Sequence, residues 1–187
     1  MWLAAARSGA LGLAACAALA AAACGGDTTI GRDLVVTSPS FSRGQRIPKR
    51  HANEPEGQNV SPALAWRGVP EGTQELVLIV EDEVPQRPIF VNWLVHGIPP
   101  SVSGFPEGFS QDVATLGGFT QERNDFGHYG WGGPLPREGD PSHEYTFWVY
   151  AVDARLRLEP GATKQDVLDA MKGHIKGNGR LVGTYRR

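Results

Sequence analysis

Cysteine is scarce in this chain, and its position narrows the possible chemistry. The 187 residues include only two cysteines, Cys16 and Cys24, and both lie near the N-terminus. The rest of the chain therefore has no disulfide and no thiol nucleophile, so a hydrophobic core must stabilise the domain unaided. Hydrophobic residues make up 41% of the composition and include five tryptophans, which can supply such a core.

An excess of positive charge is also absent. The net charge is -2, whereas a nucleic-acid-binding protein needs a basic face to contact phosphates. No serine lies in a Gly-x-Ser-x-Gly elbow, and no spacing of cysteine and histidine resembles a zinc site. We therefore predict no nucleic-acid partner, no metal and no cofactor.

The N-terminal segment is typical of a lipoprotein signal peptide. Met1–Arg7 carries a positive charge, and Ser8–Ala23 is almost purely alanine, leucine and glycine. That apolar stretch is short for a membrane span, which needs about 20 residues. Three alanines precede Cys24, as in a lipobox, where cleavage leaves a lipid-modified cysteine. We predict a lipid at Cys24 that anchors an exported protein to a cell membrane, in the periplasm or at the cell surface.

Two alternatives to this anchor remain open. Leu13–Cys16 fits the lipobox consensus better letter by letter, although cleavage there leaves an apolar region of only about eight residues. An ordinary cleaved signal peptide with unused cysteines is the other alternative. The predicted organisation is a signal peptide and lipobox at 1–24, a linker at 25–32 and one domain at 33–187.

Apolar runs separated by turn residues predict a mainly β domain with minor α content. Val77–Val80 is a continuous apolar run that suits a strand buried on both faces. Phe90–Val95, Tyr145–Val152 and Leu181–Tyr185 are the other predicted strands. Since no helix separates them, they favour an antiparallel sandwich or barrel.

One helix is predicted, near the C-terminus, over Thr163–Lys172. Thr163 and Asp166 form a capping box, and Gly173 is suited to end the helix. The predicted apolar face of this helix consists of Val167, Leu168, Met171 and Ile175.

Polar side chains at three places could carry chemistry. The carboxylates of Glu81–Glu83 follow the buried run and are either solvated loop charges or part of a site. Asn92 interrupts the next strand, where a buried amide needs a hydrogen-bond partner, structural or functional. His143 and Tyr145 lie two apart on one strand and therefore share a face, where they offer two donors to an anion. Gly130–Pro134 precedes them and lets the backbone approach a ligand closely.

These segments resemble the phosphatidylethanolamine-binding-protein family, in its bacterial Raf-kinase-inhibitor-like branch. The resemblance runs from about Val35 to Tyr185, and the order and spacing of its motifs together make it specific. The matching segments are Ser38–Phe41, Ile47–Pro48, Glu56–Pro62, Leu64–Trp66, Val69–Thr73, Glu81–Pro85, Asn92–Trp93, Gly97–Pro99, Asn124–Gly127, Gly130–Pro134, His143–Tyr145 and Leu181–Tyr185.

The resemblance implies an antiparallel β-sheet sandwich with a small surface cavity for phosphate-like and carboxylate-like anions. The family's Asp-Pro-Asp-x-Pro is one residue shorter here, so Asp82 is either its first aspartate or stands in the place of the proline, and Glu83 stands where the second aspartate is expected. The family's His-Trp is replaced by Asn92-Trp93, which removes one pocket imidazole. Asn92 can still donate an N–H to a ligand oxygen. The implied binding residues are Asp82, Glu83, Pro85, Asn92, Gly133, Pro134, His143 and Tyr145.

Three functions are compatible with this sequence. The first is an extracytoplasmic binding protein for a small anionic ligand, phospholipid headgroups included. The second is an inhibitor or regulator of an envelope protein partner, as the family name suggests. The third is a hydrolase in which His143 acts with a nearby carboxylate, although no nucleophile motif accompanies them.

Overall fold

The computed structural model describes residues 34–85 and 87–187. The predicted signal peptide, the lipidation at Cys24 and the linker therefore lie outside the described residues. Within these ranges the chain forms nine strands and one α-helix, so the prediction of a mainly β domain is confirmed. The strands are β1 Val35–Thr37, β2 Leu64–Arg67, β3 Glu75–Glu83, β4 Phe90–Ile98, β5 Gly104–Phe105, β6 Thr115–Leu116, β7 Phe119–Gln121, β8 His143–Val152 and β9 Ile175–Tyr185; helix α1 is Lys164–Met171.

Two antiparallel sheets enclose the main core. The larger has the order β6-β7-β4-β3-β8-β9, and the smaller has the order β1-β2-β5. Trp66 of the small sheet and Trp93 of the large sheet both contact Phe105, with ring centroids 5.2 and 5.7 Å apart. The aromatic rings between the sheets thus form the layered packing of a sandwich, where edge-to-face and tilted contacts are favourable.

The central strand β3 is buried on both faces, as its continuous apolar run predicts. Leu78 and Val80 face the core between the sheets, whereas Val77 and Ile79 pack with the helix. All four are at most 1% exposed. Because side chains alternate along a strand, an apolar run without polar interruptions requires a partner layer on each side.

Helix α1 covers the second face of the large sheet. Thr163 caps the helix by accepting from the backbone of Asp166, whose side chain accepts from the backbone of Thr163 in return. Val167 and Met171 are completely buried, which contributes about 1.5–3 kcal/mol each. The predicted helix is confirmed, apart from its last apolar residue.

The placement of Ile175 on the helix face is wrong. The helix ends at Met171, and Gly173 adopts a positive φ of 83°, which reverses the chain. Ile175 instead begins β9 and is 46% exposed. The position of Ile175 in the sequence fits the helical period of 3.6 residues, but Gly173 turns the backbone before Ile175 is reached.

None of the helices in the described part of the chain is long and apolar enough to cross a membrane.

Candidate functional site

Asp82 and His143 make a buried contact where β3 and β8 lie side by side. Asp82 is paired with Tyr145 across the two strands, so His143, two residues before Tyr145, projects from the same face of the sheet. Asp82 Oδ2 lies 2.9 Å from His143 Nδ1. The histidine is only 7% exposed. The predicted pair of His143 and Tyr145 therefore shares its face with Asp82, the second of the three carboxylates that follow the buried run.

The carboxylate of Asp82 determines which nitrogen of His143 remains available. An ionised carboxylate only accepts hydrogen bonds, so Nδ1 carries a hydrogen and donates it to Asp82. His143 Nε2 is then the nitrogen left for a ligand. It is buried and has no hydrogen-bond partner among residues 34–85 and 87–187. An unpaired buried polar atom costs about 1–3 kcal/mol, so a ligand atom at this position would be stabilising.

The hydroxyl of Tyr145 is a second buried group without a hydrogen-bond partner in the described ranges. Burial raises the pKa of this phenol above its usual value, and the negative charge of Asp82 raises it further. Tyr145 therefore stays protonated and keeps its O–H as a donor. Its ring stacks against that of His143, with centroids 6.4 Å apart, so the two polar groups are held by neighbouring rings.

Asn92 reaches this face through an irregularity in strand pairing. Val80 pairs with Trp93, but the next residue, Glu81, pairs with Val91, which leaves Asn92 as the extra residue of a β-bulge. The side-chain amide donates to the carbonyl of Gly132 at 2.7 Å. Its Oδ1 is buried and, in the described part of the chain, without a partner. Asn92 therefore offers this acceptor and the second hydrogen of its amide nitrogen, and donation to a ligand oxygen stays a prediction.

Two adjoining cavities open beside these residues. The larger has a volume of about 1010 Å³ and the smaller about 780 Å³, within the usual range of ligand pockets. Both are lined by Val84, Arg87, Ile89 and His143, so His143 stands at their boundary. Asp82 and Asn92 line only the smaller cavity, whereas Asp140 lines only the larger one.

The structure adds three charged residues that the sequence analysis missed. Arg87 and Arg137 line the smaller cavity. Arg87 Nη1 lies 3.0 Å from Asp140 Oδ2, which in turn lies 3.4 Å from His143 Nε2. The hydrogen bond from Arg87 lowers the pKa of Asp140 below its usual value. These residues lie in irregular segments rich in proline and charge, where no periodicity signals which side chains meet.

The family of the chain follows from comparison with known proteins. A family model described as phosphatidylethanolamine-binding protein matches residues 37–186. The chain belongs to this family.

Relatives and solved structures agree with this membership. A UPF0098 protein of Methanothermobacter thermautotrophicus is 40% identical over 148 residues, which cover 79% of this chain and 95% of the relative. A candidate lipoprotein of Mycobacterium tuberculosis, LppC, is 36% identical over 152 residues, covering 81% and 72% of the two chains.

Two crystal structures show the shared fold. A phosphatidylethanolamine-binding protein homologue from Chlamydia trachomatis has a TM-score of 0.71 and 36% identity, over 83% of this chain and 98% of that one. YbcL of Escherichia coli, described as a member of the mammalian family, has a TM-score of 0.76 and 29% identity, over 83% and 99%.

Gly133 and Pro134 lie behind the site in this family member and line neither cavity. A Cβ on Gly133 would lie 2.0 Å from the carbonyl oxygen of His51, so it is the protein backbone, and not a ligand, that approaches this glycine closely. The carbonyl of Pro134 accepts from the backbone of Asn53. The segment that follows, Leu135–Arg137, forms the wall of the smaller cavity.

The carboxylates at the end of β3 separate to opposite faces. Asp82 turns to His143, whereas Glu81 is buried on the other face and pairs with Lys164 of α1. Glu83 and Pro85 are exposed and line the larger cavity, which His143 also lines. No group of three or more metal-ligating side chains occurs in the part of the chain that the structure describes.

Proposed function

We propose that this protein is an extracytoplasmic, lipid-anchored member of the family that binds a small phosphate-type or carboxylate-type anion at His143, phospholipid headgroups included. The observation that carries this proposal is His143 Nε2, a buried nitrogen that has no hydrogen-bond partner in the described part of the chain and belongs to a residue that lines both cavities. The buried hydroxyl of Tyr145 lies on the same face of the sheet, although Tyr145 lines neither cavity. A protonated imidazole donates from both nitrogens, so it can donate to Asp82 through Nδ1 and to a ligand oxygen through Nε2 at the same time.

The charges around the smaller cavity support an anionic ligand. Arg87 and Arg137 line it, and a guanidinium binds phosphate or carboxylate oxygens with parallel N–H groups. The two carboxylates of this cavity already have partners. Asp82 binds His143, and Asp125 accepts from the backbone of Val91 at 2.7 Å. Their remaining charge is therefore partly compensated. Arg137 is left to attract an anion, whereas Arg87 is hydrogen-bonded to Asp140 and would have to leave it to bind one.

A ligand that also carries a donor fits the site better than a bare anion. Oδ1 of Asn92 has no hydrogen-bond partner among residues 34–85 and 87–187, and since it only accepts hydrogen bonds, it suits an ammonium or a hydroxyl group on the ligand. The larger cavity, with Glu83, Asp140 and Glu144 in its lining, offers further negative charge to an ammonium. A zwitterion such as phosphorylethanolamine therefore meets complementary groups in both cavities.

The location of the protein is part of the same proposal. We propose the arrangement of signal peptide and lipobox at 1–24, linker at 25–32 and domain at 33–187, with Cys24 as the lipidated residue. The family match at 37–186 leaves the N-terminal segment outside the conserved domain. A relative in Mycobacterium tuberculosis is named as a candidate lipoprotein, which supports membrane anchoring.

Calorimetric titration with phosphorylethanolamine tests the binding proposal. The full chain is purified in a maltoside detergent and a buffer without phosphate. It should bind phosphorylethanolamine with measurable heat, and the substitution His143→Gln should abolish this binding. The matched control is His174→Gln, because His174 also contacts an aspartate but is exposed and distant from both cavities. Equal binding by the wild type and the His143→Gln variant would remove this histidine from the site.

Hydrolysis is a second candidate, because Asp82 orients His143 as an aspartate orients a general base. Release of free phosphate from phosphorylethanolamine by the wild type, lost in Asp82→Asn and in His143→Gln, would establish an enzyme. Saturable binding without turnover would establish a binding protein.

A further inference from the structure

Asp140 occupies an unusual place beside the proposed anion site. One of its oxygens, Oδ2, lies 3.0 Å from Arg87 Nη1 and 3.4 Å from His143 Nε2. These are two of the groups that an external anion would use. The protein therefore already contains a carboxylate next to the donors that we assign to the ligand.

The internal carboxylate satisfies these donors incompletely. Its contact with Arg87 is a hydrogen bond, but His143 Nε2 has no hydrogen-bond partner in the described residues despite lying close to Asp140. A phosphate has more oxygens than a carboxylate and can reach both donors with good geometry. Asp140 can therefore compete with a ligand for Arg87, but a ligand that hydrogen-bonds to both Arg87 and His143 can displace it.

The local backbone makes displacement of Asp140 inexpensive. Asp140 ends a tight turn in which its N–H donates to the carbonyl of Arg137, and Gly139 has a φ of 84° with no atom within 4 Å of a Cβ position. The turn therefore has open space at Gly139, directly before Asp140. The side chains of Arg87 and Asp140 are 45% and 19% exposed, and an ion pair with such access to water contributes little to stability.

We propose that Asp140 is an internal competing ligand of the anion site, and that Arg87 leaves Asp140 to contact the incoming anion. This inference rests on the proposed function, since it requires that an anion binds at His143. It makes Asp140 the residue that sets the affinity of the site. A bound anion must first exclude this carboxylate, and removing the negative charge of Asp140 should therefore tighten binding.

The test compares Asp140→Asn with a matched control on the same turn. Glu138→Gln makes the same change in net charge, but Glu138 is exposed and lines a separate cavity. With inorganic phosphate as the probe and the full chain in maltoside detergent, we expect Asp140→Asn to bind about tenfold more tightly, because a charge about 4 Å from the ligand is removed. Glu138→Gln should bind as the wild type does.

A second measurement makes the contact itself testable without any ligand. The imidazole NMR signals of His143 should shift in Asp140→Asn and stay in place in Glu138→Gln. Asp140→Ser serves as a second variant if Asp140→Asn does not fold, and it should show the same gain in affinity.

The possible outcomes separate this inference from the proposed function. Phosphate affinity that is unchanged or lower in Asp140→Asn, while the wild type binds phosphate, overturns the role of Asp140 and leaves the binding site standing. If Glu138→Gln gains as much phosphate affinity as Asp140→Asn, the effect comes from net charge alone, and the role of Asp140 is overturned as well. If folded wild-type and variant proteins all fail to bind phosphate, the proposed function fails, and the inference fails with it.

Discussion

Asn59 offers a sharp test of how the backbone behind the site is held. It adopts a left-handed conformation with φ 51°, which costs most side chains about 1–2 kcal/mol and is tolerated best by asparagine, aspartate and glycine. Its side chain accepts from the N–H of Gly133 at 2.8 Å and donates to the carbonyl of Trp131 at 3.3 Å. The residue therefore combines a backbone role with a hydrogen-bonding role, and substitutions can separate the two.

The magnitudes follow from these contacts. Asn59→Gly keeps the backbone conformation but leaves the Gly133 N–H unpaired, which should lower the free energy of unfolding by about 2 kcal/mol. Asn59→Ala loses the same bond and adds backbone strain, for a total of about 3 kcal/mol. Asn59→Asp keeps the conformation and the acceptor for Gly133 but loses the donor to the carbonyl of Trp131, and should cost only about 1 kcal/mol.

Urea denaturation followed by tryptophan fluorescence measures these differences as shifts of the midpoint at constant slope. Asn178→Ala, at an exposed asparagine of β9, is the control and should change little. The reasoning would be refuted by equal stability of Asn59→Gly and Asn59→Ala, since backbone strain would then contribute nothing. It would also be refuted if Asn59→Gly were as stable as the wild type.

Three further predictions concern the site, the helix and the anchor. Tyr145→Phe should weaken phosphate binding in calorimetry without lowering the urea midpoint, because the lost hydroxyl has no partner in the described part of the chain; a loss of stability would show that this hydroxyl is structural. The hydrogen bond from Thr163 lowers the pKa of Asp166, so this carboxylate stabilises the fold above about pH 4, and its contribution is lost as pH falls through the lowered value. The pH dependence of the urea midpoint between pH 5 and 2 should accordingly be smaller in Asp166→Asn, and an unchanged dependence would contradict the role of the cap. Labelled palmitate should enter the wild type and Cys16→Ser but not Cys24→Ser, and the reverse pattern would move the anchor to Cys16.

The site was only partly accessible from the sequence. The spacing of His143 and Tyr145 predicted that they share a face, because alternation along a strand is a local property of the backbone. The family resemblance supplied Asp82 and Asn92 as their neighbours. It did not supply the direction in which Asn92 presents its amide, since that depends on the carbonyl of Gly132, which comes from a distant segment.

Local patterns by themselves determined the main elements of the fold. The apolar run at Val77–Val80 required burial on both faces, and the Thr163–Asp166 box set the start of the helix, because both depend on interactions within a few residues. The apolar pattern did not predict where the helix ends. Ile175 fits the pattern but lies outside the helix, because Gly173, with its positive φ, turns the chain before Ile175 is reached.

Only the tertiary structure decided which loop residues meet at the site. Arg87 and Asp140 are 53 positions apart in the chain, and their contact depends on how the segments after β3 and before β8 fold at the end of the sheet where these two strands lie side by side. Gly133 likewise owes its identity to the distant backbone at His51, which leaves no room for a side chain. Such contacts carry no periodicity and no fixed spacing, because loop conformations are set by the surfaces against which they pack.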